Sequence, residues 1–324
     1  MKKLILKSVL YVFLILISLE LLVRVFHLGR DTPTRFVDKN KVEKWVPNQN
    51  GYAVTGNRRQ NFSEYHINNS GYNSYREFTP SKDKIEIALV GDSFIQGFHQ
   101  DYYNSIGKKI ENSLTGIEVY EYGYAGYDFA DQLHLTYAYK DQFDAIDHVI
   151  LGIKFSNDLT RNEYHIVHSR LALQSPVNKL IRKSKLLIYC NSIGILAPIQ
   201  KLGYKIINRF RPVPKKKQIS KEEALKIQEK KELQYLSNFE SLVSKYGFDK
   251  DRFTLLLDAN ATKPLFLEYL DQNNFNYIDF SKSMEATDRS TTLIYDRHWN
   301  NHGRDIVAKI IVEYIHKNRV LEEY

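Results

Sequence analysis

Three side chains of this 324-residue sequence have the types and spacing for acyl-transfer chemistry. Ser93 stands in Val90-Gly91-Asp92-Ser93-Phe94-Ile95-Gln96-Gly97, immediately after a short apolar run. A serine hydroxyl is a weak nucleophile and needs an adjacent base. At a strand end it can face a cleft, and the flanking glycines let the backbone turn tightly. Equally, Ser93 reads as the N-cap of the helix that follows. The base would be a histidine held by a carboxylate. Tyr295-Asp296-Arg297-His298-Trp299-Asn300 offers both, with Asp296 close enough in a loop to meet imidazole Nδ1 of His298. That stretch also reads as a helix start capped by Asn300 or Asn301, with His298 exposed. Ten histidines in the chain make one at this place unsurprising.

Such groups need a scaffold whose loops converge. Residues 85–90, 117–120, 145–153, 253–257 and 275–280 read as strands, and residues 105–114, 128–140, 220–246, 264–273 and 301–318 as helices. Five strands alternating with helices predict a three-layer α/β/α sandwich around a mostly parallel five-stranded sheet. In such sheets active sites gather at the carboxyl ends of the strands, where the polar clusters after the first three strands fall. Residues 31–80 read as a linker with short strands or a hairpin, with turn signals at Asn50-Gly51, Thr55-Gly56-Asn57 and Ser70-Gly71-Tyr72. The stretch from about 160 to 219 interrupts the alternation and is too long for an ordinary loop. It reads as a basic helical lid ending near Lys215-Lys216-Lys217, inserted in a main domain over 81–324.

With 43% hydrophobic and 26% charged residues, the chain can bury an ordinary core. The lone cysteine, Cys190, excludes an intramolecular disulfide and argues against a cysteine-based zinc site. The net charge of +8 is uneven: residues 179–231 carry 15 Lys/Arg against 3 Asp/Glu, and the remainder carries 31 against 35. Basicity confined to one segment argues against general nucleic-acid binding. That segment suits contact with anionic lipid or an anionic glycan, or a solvated lid with an inward apolar stripe.

Residues 1–30 carry three lysines and then an apolar run from Val9 to Leu19. The sixteen residues between Lys7 and Arg24 would span about 24 Å as a helix, short of the roughly 30 Å hydrocarbon core unless both ends snorkel. The first alanine is Ala53, so small residues for a signal cleavage site are missing. An uncleaved transmembrane anchor is expected, with a short cytoplasmic tail and the catalytic domain outside the cytoplasmic membrane.

Gly91-Asp92-Ser93-Phe94 resembles the first block of the SGNH (GDSL-like) hydrolases, and three further blocks follow in order. Glu121-Tyr122-Gly123-Tyr124-Ala125-Gly126 is similar to the second, Phe155-Ser156-Asn157-Asp158 to the third and Asp296-Arg297-His298 to the last. The resemblance spans residues 85–318 and implies a flavodoxin-like SGNH fold. It also implies a Ser93–His298–Asp296 site whose oxyanion hole comes from the Ser93 and Gly126 N–H groups and the Asn157 amide. Glu121 and Phe155 depart from the usual Asn and Gly, and the last block is D-x-H rather than D-x-x-H. The D-x-H-W form resembles a branch containing bacterial polysaccharide O-acetyltransferases.

The reading calls for no cofactor and no metal. Asp158 is expected to brace its loop, and His148 and His302 to serve core or surface roles. Asp296, His298 and His302 would make an incomplete ligand set. The expected activity is cleavage of an acyl, preferably acetyl, ester on a cell-envelope glycan. An O-acetyltransferase using the same site and a non-catalytic carbohydrate-binding protein stand as alternatives.

Overall fold

The computed structural model describes residues 1–56, 59–172, 175–198, 201–203, 205 and 220–318. They form two compact units. The smaller comprises Met1–Thr32, Gly51–Ser63 and the described part of His168–Gln218; the larger comprises Pro33–Asn50, Glu64–Val167 and the described part of Ile219–Tyr324.

Four short strands precede the main sheet. β1 (Arg35–Val37) pairs antiparallel with β2 (Glu43–Trp45), and β3 (Asn50–Thr55) pairs with β4 (Asn61–His66). The main sheet of the larger unit then contains β5 (Ile85–Gly91), β6 (Ile117–Gly123), β7 (His148–Gly152), β8 (Phe253–Leu257) and β9 (Tyr277–Asp279). Their spatial order is β6-β5-β7-β8-β9, and every neighbouring pair is parallel. This is the 2-1-3-4-5 order of a doubly wound sheet.

The strands are nearly continuous apolar runs because both faces are covered. Ala88, Val90, Val149, Leu151, Leu255 and Leu257 enter one core, whereas Ile87, Leu89, Ile150 and Leu256 enter another. The first core is closed by α4 (Phe129–Ala138), α10 (Lys221–Tyr246) and α11 (Pro264–Gln272), through Phe129, Phe239 and Phe266. The second is closed by α3 (Ile106–Ser113) and α13 (Asn301–Lys317), through Ile110, Val307 and Ile311, with Met284 of α12 (Ser281–Glu285) packed against it. Three layers result, as expected, and the sheet is parallel throughout.

Two expectations change in detail. The third strand starts at His148, not at residue 145, because residues before it form α5 (Lys140–Ala145), which buries Phe143 and pairs Lys140 with Asp144. Residues 33–50 and 64–80 are more than a linker. Trp45, Tyr65, Ile67, Tyr72 and Phe78 are buried in the sheet's own core, with Trp45 against Tyr124 and Phe78 against Tyr122, both 4.7 Å between ring centres.

In the smaller unit, α1 (Lys2–Val25) runs for 24 residues, about 36 Å at the helical rise. The helix continues through the charged flanks, so it exceeds the length judged from the apolar run alone. It is long and apolar enough to cross a membrane, and its side chains face outward, with Leu4 70% and Leu6 71% exposed. The described part of the insertion includes the short helices α7 (His168–Ala172), α8 (Pro176–Lys183) and α9 (Lys185–Ser192). Glu20 of α1 accepts the Lys185 and Leu186 N–H groups at 2.9 and 2.8 Å and the Ser184 hydroxyl at 2.9 Å. It thereby satisfies orphan donors at the start of α9. The expected Lys215-Lys216-Lys217 run lies outside the described residues.

Candidate active site

β5 delivers Ser93 to the sheet's carboxyl edge, where it opens the short helix α2 (Ser93–Gln96). The capping oxygen belongs to its neighbour: Asp92 Oδ1 accepts the Phe94 N–H at 2.9 Å. The cap role is thus filled by Asp92, and the Ser93 hydroxyl is left for other work. α2 sits directly on the end of β6, so closely that a Cβ on Gly123 would lie 2.0 Å from Gln96 N. Only glycine tolerates that approach.

His298 comes from the loop before α13. Asn300 caps that helix, its Oδ1 accepting Gly303 N–H at 2.9 Å, while Leu293 N–H donates to His298 O at 3.0 Å. The His298 ring turns toward β5, placing Nε2 2.7 Å from Ser93 Oγ. Its Nδ1 hydrogen-bonds Asp296 Oδ1, which also accepts the His298 backbone N–H at 3.0 Å. Partial burial works to raise the Asp296 pKa. The side-chain and backbone hydrogen bonds from His298, with the electrostatic pull of the His298 and His99 rings, outweigh burial and hold it below the ordinary carboxylate value.

His99 is a member of this cluster that spacing alone does not reveal. It lies six residues beyond Ser93 in chain order, past a left-handed turn at Gly97 (φ 68°). Its Nε2 is 3.2 Å from Asp296 Oδ2, and its ring stacks on His298 with 4.0 Å between centres. Asp296, His298 and His99, rather than His302, offer ligand atoms near one another. Stacked rings direct their nitrogens along nearly parallel planes instead of toward one point. They suit a bridging carboxylate better than a shared ion. His302 Nε2 instead lies 3.0 Å from Thr287 Oγ1, and His148 is buried against Thr254 Oγ1 at 3.0 Å, where burial drives its pKa down to about 4.

Gly126 lies in the exposed turn after β6, and Asn157 is exposed on α6 (Phe155–Asp158) after β7. Both flank the end of β5 in the sheet order. Tyr124 N–H donates to Gly91 O at 3.0 Å, tying the β6 turn to β5. Arg161 holds Asp128 at 2.6 Å and Asp131 at 2.9 Å, tying the segment after α6 to α4.

The departures from the expected blocks have local causes. Glu121 is buried and accepts Gly107 N–H at 3.1 Å at the start of α3. Burial raises its pKa, opposed by Ser105, Gly107 and the charge of Arg304. Phe155 is buried against Phe266, 5.1 Å between ring centres, so it packs α6 onto the core. Asp158 accepts Lys154 N–H at 2.7 Å, a brace across its own turn. Burial, reinforced by the charge of Asp92, pushes its pKa up to about 8. A cleft of about 240 Å³ is lined by Asp92 and Phe94, the chain neighbours of Ser93, and by Phe155, Leu256, Phe280 and Trp299, with Asp158 and Arg297 among its polar groups.

No protein-family model matches the chain, and no curated protein matches its sequence. Among solved structures it is similar to a lipolytic G-D-S-L family protein of Veillonella parvula (14% identity, TM-score 0.38, covering 72% of this chain and 99% of that one). It is also similar to a lipase/acylhydrolase of Enterococcus faecalis (12%, TM-score 0.39, 72% and 96%). An acetylxylan esterase of Geobacillus stearothermophilus is a third (12%, TM-score 0.35, 74% and 96%). The chemistry assigned below rests on the site's own atoms.

Proposed function

We propose that the chain is a membrane-anchored serine esterase of the SGNH type, with Ser93 as nucleophile, His298 as base and Asp296 as the acid that orients it. The supporting observation is the approach of Ser93 Oγ to His298 Nε2 at 2.7 Å, with Asp296 on the opposite ring nitrogen. A binding protein with a degenerate site has no need of this relay.

In this reading His298 accepts the Ser93 proton as Oγ attacks the ester carbonyl, and Asp296 stabilises the resulting imidazolium. The Ser93 and Gly126 N–H groups and the Asn157 amide meet the oxyanion. His298 returns its proton to the departing alkoxide. Water, deprotonated by the same ring, then releases the acyl group and restores the serine. The cleft next to the Asp92–Phe94 turn is lined mainly by apolar side chains, among them Phe94, Phe155, Phe280 and Trp299, which suits a small acyl group such as acetyl. Exposed Tyr295, beside Asp296, offers a ring to a sugar. The proposed substrate is therefore an O-acetylated cell-envelope glycan.

The anchor would be α1, with Lys2, Lys3 and Lys7 on the cytoplasmic side. The insertion would touch anionic lipid or glycan through α8, where exposed Leu180 and Ile181 lie beside Arg182 and Lys183.

Treating the full-length protein in detergent with a fluorophosphonate probe tests the serine assignment. An adduct on Ser93, together with acetate release from an O-acetylated polysaccharide, is expected. A folded protein that stays unlabelled and releases no acetate would contradict the proposal. Acetyl groups recovered on an added oligosaccharide, instead of in water, would assign transfer in place of hydrolysis.

A further inference from the structure

Resting on the serine-esterase reading, we infer that His99 is a positioning residue that latches Asp296 against His298. Asp296 and His298 are separated by a single residue, and Asp296 Oδ1 is already shared between His298 Nδ1 and the His298 backbone N–H. The tip of the loop carrying them is open to solvent: Ile294 is 90% exposed and Tyr295 59%. A carboxylate on such a loop has water as a competitor for both oxygens. The second oxygen, Oδ2, faces His99 Nε2 at 3.2 Å, from a different segment of the chain. In the tautomer carrying its proton on Nε2, His99 donates to Oδ2 and turns Oδ1 toward His298.

The platform beneath His99 is rigid. Its neighbour Phe98 stacks on Tyr65, 4.7 Å between centres, and packs on Trp45 at 5.8 Å; both partners are buried in the core. Gly97 makes the left-handed turn that aims the segment back at the site, and a Cβ there would lie 3.0 Å from Arg304 Nη2. The His99 ring also covers one face of His298, their planes 17° apart. His99 therefore contacts both members of the acid–base pair, Asp296 through Nε2 and His298 through its ring face.

Three variants of the full chain separate its contacts. His99→Ala removes ring and donor, His99→Phe keeps the stacked ring, and His99→Gln keeps an N–H donor near the Nε2 position. On a chromogenic acetyl ester, kcat should fall on the order of 10- to 100-fold in the Ala and Phe variants, as when an orienting partner of a histidine is lost. KM should stay within about twofold, because ground-state binding is untouched. His99→Gln should recover most of the loss. The proton between His298 Nδ1 and Asp296, followed by NMR on ¹⁵N-histidine-labelled protein, should persist in wild type and His99→Gln and broaden or vanish in the other two. Wild-type kcat and an intact resonance in His99→Ala would overturn the proposal, as would rescue by Phe but not Gln. A wild-type protein as inactive as Ser93→Ala would defeat the serine reading alone, since the resonance reports the latch without turnover.

Discussion

Two aspartates at the carboxyl edge of one sheet have been driven in opposite directions. Asp296, on the loop before α13, meets two histidines and a backbone N–H and is held ionised below the ordinary carboxylate value. Asp158, on the turn after β7, is buried, accepts one backbone N–H and is pushed up to about 8. Asp158 follows the end of β7, Asp296 lies in the loop between α12 and α13, and each sits within a candidate family block. What separates them is burial and partners: hydrogen bonds from His298 favour the ionised form of Asp296, whereas burial favours the protonated form of Asp158.

Replacing the charged member should have the larger consequence. Asp296→Asn keeps the shape but favours the wrong His298 tautomer, and kcat should fall about 10⁴-fold, the scale seen for this change in other serine triads. Steady-state kinetics on an acetyl ester checks it, and an unchanged kcat would reduce Asp296 to a structural role. Next comes Asn157→Ala, beside Asp158, with an expected loss on the order of 10²–10³ in kcat for one oxyanion donor. A loss confined to KM would remove Asn157 from the oxyanion hole.

Asp158→Asn should alter kcat least, and its signature should be stability. The unfolded carboxyl ionises near pH 4, whereas the folded one keeps its proton to about pH 8. Across that window the native state binds more protons than the unfolded chain, so wild-type stability falls as pH rises. The Tm of Asp158→Asn should match wild type near pH 4 and exceed it increasingly toward about pH 8. Asp296 has the reverse sign: its depressed pKa contributes stability above the unfolded value, lost as pH falls through the folded one. Parallel pH slopes for Asp158→Asn and wild type would erase the contrast.

Sequence patterns carried the sheet well, because parallel strands covered on both faces leave unbroken apolar runs such as Ile87-Ala88-Leu89-Val90. They carried less about residues 33–50 and 64–80, where Trp45, Tyr65 and Tyr72 look like surface aromatics among polar neighbours until the fold closes over them. At the site, residue types and order led to Ser93, His298 and Asp296, which the fold brings within hydrogen-bonding reach. The choice between nucleophile and helix cap was not legible at Ser93, because it turns on which oxygen meets Phe94 N–H. His99 left no signal. Its partner lies almost two hundred residues away in sequence, and only the Gly97 turn with the Phe98 anchor aims it there.

In the proposed reaction Ser93 attacks an ester with His298 as its base. Hydrolysis of a chromogenic acetyl ester by the full-length protein, beside Ser93→Ala, tests it most directly. Turnover is expected in the wild type, with a loss of about 10⁴-fold or more in a Ser93→Ala protein of unchanged melting temperature. Equal rates in the two proteins would contradict it.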